Sequence, residues 1–391
     1  MNMNETRKDN GRNGERPTVM PHRGGNNMIY VGAAIAVVAI VIVAAFSMGI
    51  LSTGSKESVS LTGAGATFPM PLILKWADEY YNVTDGAVKV NYGGGGSGAG
   101  ITQIKEKQVD FAGTDAPLSS TESSTYGLVH IPETLGAVVV AYNLPGITSL
   151  RLDGDTIAKI FMKDISVWND PAIAALNPGA TLPDESIATV VRSDSSGTTF
   201  VFTGYLAIVS PVFDELYGQG KTVAWPNGTL AQSGNSGVAQ AVQGTSYSIG
   251  YIELAYALEN DISFAQVENH DGQFITASLD TTAAAAAAAV PALPAGDGDW
   301  SEVHVLNAPG SDSYPIVTFT YILIYKELYN EETEMNKTAA ETLLDFIWWA
   351  VHDDGQSLAG PLQYAPLPDA VVELNEETLR SITYQGEPLM D

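Results

Sequence analysis

The alternation of apolar and polar positions changes period several times along this 391-residue chain. Residues 28–51 (MIYVGAAIAVVAIVIVAAFSMGIL) form an apolar run without a charge. About 24 residues at 1.5 Å each are enough to cross roughly 30 Å of hydrocarbon. The run predicts a membrane span. It is longer than a signal h-region and no A-x-A site closes it, which points to an uncleaved anchor. Beyond it, short β-like runs alternate with amphipathic stretches. Ala87–Tyr92 (AVKVNY) alternates as a strand, followed by glycines and then by Ile101 and Ile104 at helical spacing. Ala137–Tyr142 and Thr320–Tyr325 are apolar enough to be buried strands. Leu72, Trp76 and Tyr80 share one stripe of a helix expected over Pro71–Tyr81, a pattern that core packing explains best. The alanine run Ala283–Ala289 reads as a helix capped within Asp280-Thr281-Thr282 and stopped by Pro291. The fold class these elements predict is α/β, in a chain long enough for two lobes.

Charge divides the chain at the apolar run. Ahead of it Arg7, Lys8, Arg12, Arg16 and Arg23 outnumber Glu5, Asp9 and Glu15, which predicts a cytoplasmic basic tail over residues 1–27, a span over 28–51 and a Ser/Thr/Gly tether over 52–59. Everything after the span is then extracytoplasmic. Beyond residue 27 the chain carries 13 basic and 42 acidic residues, a net −29. Such a surface does not suit nucleic acid or anionic lipid, serves solubility, and fits a salt-rich habitat in which self-repulsion is screened. Cysteine is absent, which excludes disulfides, thiolate-held metals and a lipidated cysteine anchor. The five histidines, His22, His130, His270, His304 and His352, show no paired metal-ligand spacing and read as surface or capping residues, so no metal and no cofactor is expected.

Four separated segments offer what an oxyanion needs: Gly63–Pro69 (GAGATFP), Gly93–Gly98 (GGGGSG), Thr114–Pro117 (TDAP) and Arg192–Phe200 (RSDSSGTTF). In three of them a hydroxyl residue, Thr67, Ser97 or Ser196, precedes an expected helix. A helix start presents unpaired N–H groups and partial positive charge, and a neighbouring glycine admits an anion to the backbone. Only three arginines lie beyond residue 27, and of these only Arg192 stands beside such a start. Its guanidinium can give paired N–H bonds to a phosphate, with Asp194 holding the fork; a surface salt bridge is the plainer alternative. Gly93-x-Gly-x-x-Gly98 also satisfies a dinucleotide fingerprint, a pattern often met by accident. Gly218–Thr222 lacks the upstream glycine of a phosphate loop, where Glu215 stands. Ser97 and Ser196 leave a surface serine hydrolase open in principle, although no histidine has the context of a triad.

Together with Lys75–Asp78, Val109–Phe111, Asp115–Ser119, Phe200–Thr203, Gly250–Tyr256 and Leu367–Asp369, these segments run in order from about residue 59 to the carboxyl end. In that combination the chain resembles the phosphate-binding subunit of the high-affinity phosphate ABC importer. The resemblance implies a type II periplasmic-binding-protein fold of two α/β lobes joined by two crossing strands, near Ala137–Tyr142 and Ile316–Ile324. Residues 60–137 with 317–391 would form one lobe and 138–316 the other. It further implies inorganic phosphate as ligand, the permease and ATPase of an ABC complex as partners, no cofactor and no catalytic residue. The positions matching the family's ligand contacts are Thr67, Phe68, Ser97, Asp115, Arg192, Ser196, Gly197 and Thr198, with Asp194 in support. The glycine loop departs from the family form in having four glycines before Ser97 and Ala99 after Gly98. A carboxylate matching Asp115 accepts a hydrogen from protonated phosphate; sulfate has none to give, so two acceptors would oppose each other. The alternative for Asp115 is a helix cap before Pro117. Sulfate or molybdate uptake and phosphate sensing would use the same fold.

Overall fold

The computed structural model describes residues 58–287, 293–303, 305–329, 331 and 335–390. The basic tail, the apolar run and all but the end of the tether lie outside them. Among the described residues no helix is long and apolar enough to cross a membrane.

Eight strands make one mixed sheet: β1 (Val59–Gly65), β2 (Val88–Gly94), β3 (Phe111–Thr114), β4 (Leu128–Asn143), β5 (Ala188–Arg192), β6 (Leu230–Gln232), β7 (Ser248–Glu253) and β8 (Val317–Tyr325). Their order across the sheet is β2-β1-β3-β8-β4-β7-β5-β6. The outer strands on both sides pair in parallel, whereas β8 and β4 pair antiparallel with each other and with their outer neighbours. Strand β4 is the long member, 16 residues with all but the last buried. Its first part pairs with β8 as far as Ala137, and from Val138 to Asn143 it pairs with β7 instead. The change of partner coincides with the start of β8, where the Val138 N–H donates to the Ile316 carbonyl at 2.8 Å. Both strands read from apolar runs therefore lie at the centre of the sheet, and each is longer than its run.

Helices leave the sheet directly from strand ends. Helix α1 (Met70–Val83) buries Leu72, Ile73, Trp76, Ala77 and Tyr80, the face expected from the stripe. Trp76 is fully buried and its indole N–H donates to the Gly355 carbonyl at 2.8 Å. Tyr80 meets Phe346 and Trp349 of a later helix with ring centroids 5.3 Å apart. Helix α2 (Ser97–Lys105) follows β2, α3 (Gly197–Val209) follows β5, and α4 (Gly234–Gly244) follows β6. α3 is buried on most of its surface, with Phe202 stacked on Tyr251 at 4.3 Å between centroids. The alanine-rich helix spans Leu279–Ala287; the Ser278 hydroxyl caps it by accepting from the Thr281 N–H at 3.3 Å, and Thr281, of the expected Asp280–Thr282 group, returns the bond by accepting from the Ser278 N–H at 2.9 Å. Residues 288–291, including the expected stop at Pro291, lie outside the described residues.

Trp76→Ala removes a fully buried indole together with its hydrogen bond to the Gly355 carbonyl, and is expected to lower the unfolding free energy by about 3–5 kcal/mol in guanidinium titrations. A loss below about 1 kcal/mol would show that this contact does not anchor the helix.

Candidate functional site

The four segments singled out in the sequence all follow strand ends, and the fold brings them into contact, although β5 runs opposite to β1, β2 and β3. Thr67 and Phe68 follow β1; their carbonyls accept from the Tyr256 hydroxyl at 2.6 Å and the Tyr364 hydroxyl at 2.7 Å. The glycine loop after β2 folds back so that the Gly95 and Gly96 N–H groups both donate to the Gly65 carbonyl at 3.0 Å. Gly96 takes φ +88°, the region glycine adopts without strain, and Ser97 then begins α2. Asp115 follows β3 and is buried. It caps no helix: the next one starts at Ser120 with the Ser119 hydroxyl as its cap.

Arg192 ends β5 with its side chain only 1 % exposed. Asp194 holds the fork as expected, accepting from Nε at 2.9 Å and from Nη2 at 2.5 Å, while Nη1 donates to Thr198 Oγ1 at 3.1 Å. This is no surface salt bridge. Ser196 is the N-cap of α3, its hydroxyl accepting from the Thr199 N–H at 3.0 Å, so the N–H groups of Gly197 and Thr198 have no partner within the helix.

Two contacts join the segments across the sheet. The Gly98 N–H donates to the Ser195 carbonyl at 2.9 Å. Gly197 lies so close to the β1–β3 side that a methyl group there would collide with Asp115 Oδ2 and Ser97 Oγ. Glycine at 197 is thus a condition of close approach, and Asp115, Ser97 and the start of α3 meet at one point.

Sequence reasoning overlooked Asn235. It is fully buried near the start of α4, and its Nδ2 donates to Thr67 Oγ1 at 3.2 Å and to Thr198 Oγ1 at 3.1 Å, tying the two sides together. Its backbone N–H also donates to Thr67 Oγ1, at 3.1 Å. The signal was present: Ser233–Gly237 (SGNSG) follows a strand and opens a helix, as the other glycine segments do. Thr320, Glu133 and Glu253 are buried around Asp115; Thr320 opens a predicted strand and Glu253 lies within Gly250–Tyr256, but nothing in the sequence marked any of the three for the site. His130 departs from the surface expectation; it is buried, its Nε2 accepts from the Leu118 N–H at 2.9 Å, and burial depresses it to about 4, so it is neutral. Among the described residues no cluster suited to a metal ion occurs.

The family model described as the PBP superfamily domain matches residues 52–354. A phosphate-binding protein PstS of Pasteurella multocida is 42% identical over 321 residues, covering 82% of this chain and 89% of the relative. The chain belongs to the PstS family of phosphate-binding proteins. Solved structures share the fold at lower identity. A high-affinity periplasmic phosphate-binding protein with bound phosphate (PfluDING) matches with a TM-score of 0.63 and 22% identity, over 83% of this chain and 99% of its own. An ABC-type phosphate transport receptor from Vibrio cholerae matches with a TM-score of 0.51 and 18% identity, over 79% of this chain and 100% of its own.

The electrostatics of the site in this family member follow from burial. Desolvation pushes Asp115 up to about 7, against the Thr320 hydroxyl, the Arg192 charge and the Ser97 hydroxyl, which favour its ionised form. Burial also works against ionised Asp194, but the Arg192 fork and the Gly234 N–H outweigh it and hold that carboxyl below its ordinary value.

Because folding raises the Asp115 pKa, its contribution to stability is fully present below the unfolded value near 4 and is lost as pH rises through about 7. Asp115→Asn stays neutral throughout. It is expected to raise the unfolding temperature of the phosphate-free protein more at about pH 8 than at about pH 4. Equal shifts at both would show that Asp115 does not titrate upward in the fold.

Proposed function

We propose that this chain captures inorganic phosphate between two α/β lobes outside the membrane and delivers it to the permease and ATPase of an ABC importer. The reading is carried by the polarity of the buried hydroxyls. Thr67 Oγ1 accepts two N–H bonds and Thr198 Oγ1 accepts two, while Ser97 Oγ and Ser196 Oγ accept one each. With both lone pairs engaged, the threonine hydroxyls can only donate. Donors of this kind, with the N–H groups that open α3 and the Arg192 guanidinium, suit a ligand made almost wholly of acceptors. A tetrahedral oxyanion is such a ligand.

Asp115 narrows the choice. It is an acceptor among donors, and it tolerates an anion only where that anion brings a hydrogen, as hydrogen phosphate does and sulfate does not. In this reading Thr67, Phe68, Ser97, Ser196, Gly197 and Thr198 donate, Arg192 supplies the charge, Asp194 orients it, and Asp115 reads the proton. Asn235 joins the set by orienting Thr67 and Thr198.

Residues 60–137 with 317–391 form one lobe and 138–316 the other, the division falling where β4 changes partner and β8 begins. Phosphate touching both lobes favours the closed state, which docks on the permease. Binding is stoichiometric, with no covalent step. Residues 28–51 anchor the chain, with residues 1–27 in the cytoplasm and 52–59 as tether.

Titration calorimetry with phosphate and with sulfate tests the reading. Phosphate is expected to bind and sulfate to bind far more weakly, and equal affinities would refute it. Arg192→Ala, which leaves an anion site without its cation, is expected to lose at least about 2–3 kcal/mol of phosphate binding; affinity near that of the wild type would remove Arg192 from the site.

A further inference from the structure

The ladder between β4 and β8 slips once. Thr320 faces Thr134 and Tyr321 faces Pro132, which leaves Glu133 as an extra residue without a partner in register. Bulges of this kind re-aim a side chain. Glu133 is fully buried, and its Oε1 lies 3.1 Å from Thr320 Oγ1. The same hydroxyl lies 3.0 Å from Asp115 Oδ1 and 3.4 Å from the Thr114 carbonyl. One threonine oxygen therefore stands between two buried carboxyl groups.

A hydroxyl has a single hydrogen and can donate it to only one of them. If both carboxyls were ionised, one oxygen would face a lone pair. The two oxygens could then be no more than about 6 Å apart, in surroundings where water does not weaken the repulsion. At least one proton is required. Arg192 and the Ser97 and Thr320 hydroxyls favour the ionised form of Asp115. Glu133 has only Thr320 in its favour, the charge of Asp115 acts against it, and its Oε2 has no hydrogen-bond partner.

We infer that Glu133 carries the proton and donates it to Thr320 Oγ1, obliging Thr320 to donate to Asp115 Oδ1 and so keeping Asp115 an acceptor for the ligand's hydrogen. Glu133 is then a positioning residue for anion selectivity, an assignment that rests on the phosphate reading of Asp115. Burial is the main cause of the upward shifts of both groups. The other ionisable groups acting on the pair are Glu253, Tyr92, Tyr256, Tyr321 and Tyr364; burial shifts each of them toward its neutral form and none is a cation, so none supplies a countercharge to Glu133.

Infrared spectroscopy of phosphate-free protein at neutral pH reads the proton directly. The wild type is expected to show a protonated-carboxyl component, beside that of buried Glu253, that disappears in Glu133→Gln and shifts in Thr320→Val. A protonated-carboxyl spectrum unchanged by both variants, or a component lost only in Asp115→Asn, overturns the inference; should Glu133→Gln not fold, the Thr320→Val shift decides alone. Calorimetry gives the functional side. Glu133→Gln, whose amide donates from the same position, is expected to keep phosphate affinity within about threefold of wild type. Thr320→Val is expected to lower the preference for phosphate over sulfate at least about tenfold, with Thr320→Ser restoring it. Tighter binding of both anions by Glu133→Gln, by about tenfold or more, would mean that an ionised Glu133 had been repelling them, and would refute the assignment. The infrared result does not depend on the ligand, so failure of the wild type to bind phosphate sinks the phosphate reading separately.

Discussion

The site depends on one constraint: a buried hydroxyl whose lone pairs are already engaged must give its hydrogen away. Asn235 and Arg192 impose it on Thr67 and Thr198 by filling their acceptor positions. Each hydroxyl is thus oriented before any ligand arrives, and its direction is set by neighbours on other elements. Such fixed dipoles need no reorganisation on binding, and burial strengthens them relative to water.

That constraint requires several strand ends to meet at distances shorter than ordinary side-chain packing allows. Gly197 meets it by having no side chain where Asp115 and Ser97 approach. Gly96 meets it with a backbone conformation that turns the loop back onto Gly65. The long strand β4 joins the two halves of the sheet, so the geometry of the site is tied to one strand that changes partner, from β8 to β7, between Ala137 and Val138.

Charge has a smaller part than the ligand would suggest. The chain carries a net −27, and the Arg192 cation is already paired with Asp194. The acidic surface lies across screening solvent, whereas the helix starts and hydroxyls of the proposed site would act at contact distance. Asp115 and Glu133 add acceptor capacity without two full charges, because burial keeps the pair from ionising together.

The sequence by itself determined the parts whose signal is local. The stripe of α1, the central strands, the hydroxyl-and-glycine segments and the Arg192–Asp194 pairing two residues apart were all legible, because each depends on neighbours along the chain. The family resemblance was legible for the same reason, in short motifs kept in order. Tertiary structure alone decided which distant residues share a hydrogen. Asn235 reaches Thr67 across 168 positions, and Thr320 reaches Glu133 across 187. No periodicity encodes a contact of that separation, and the bulge that frees Glu133 exists only once two strands are laid side by side.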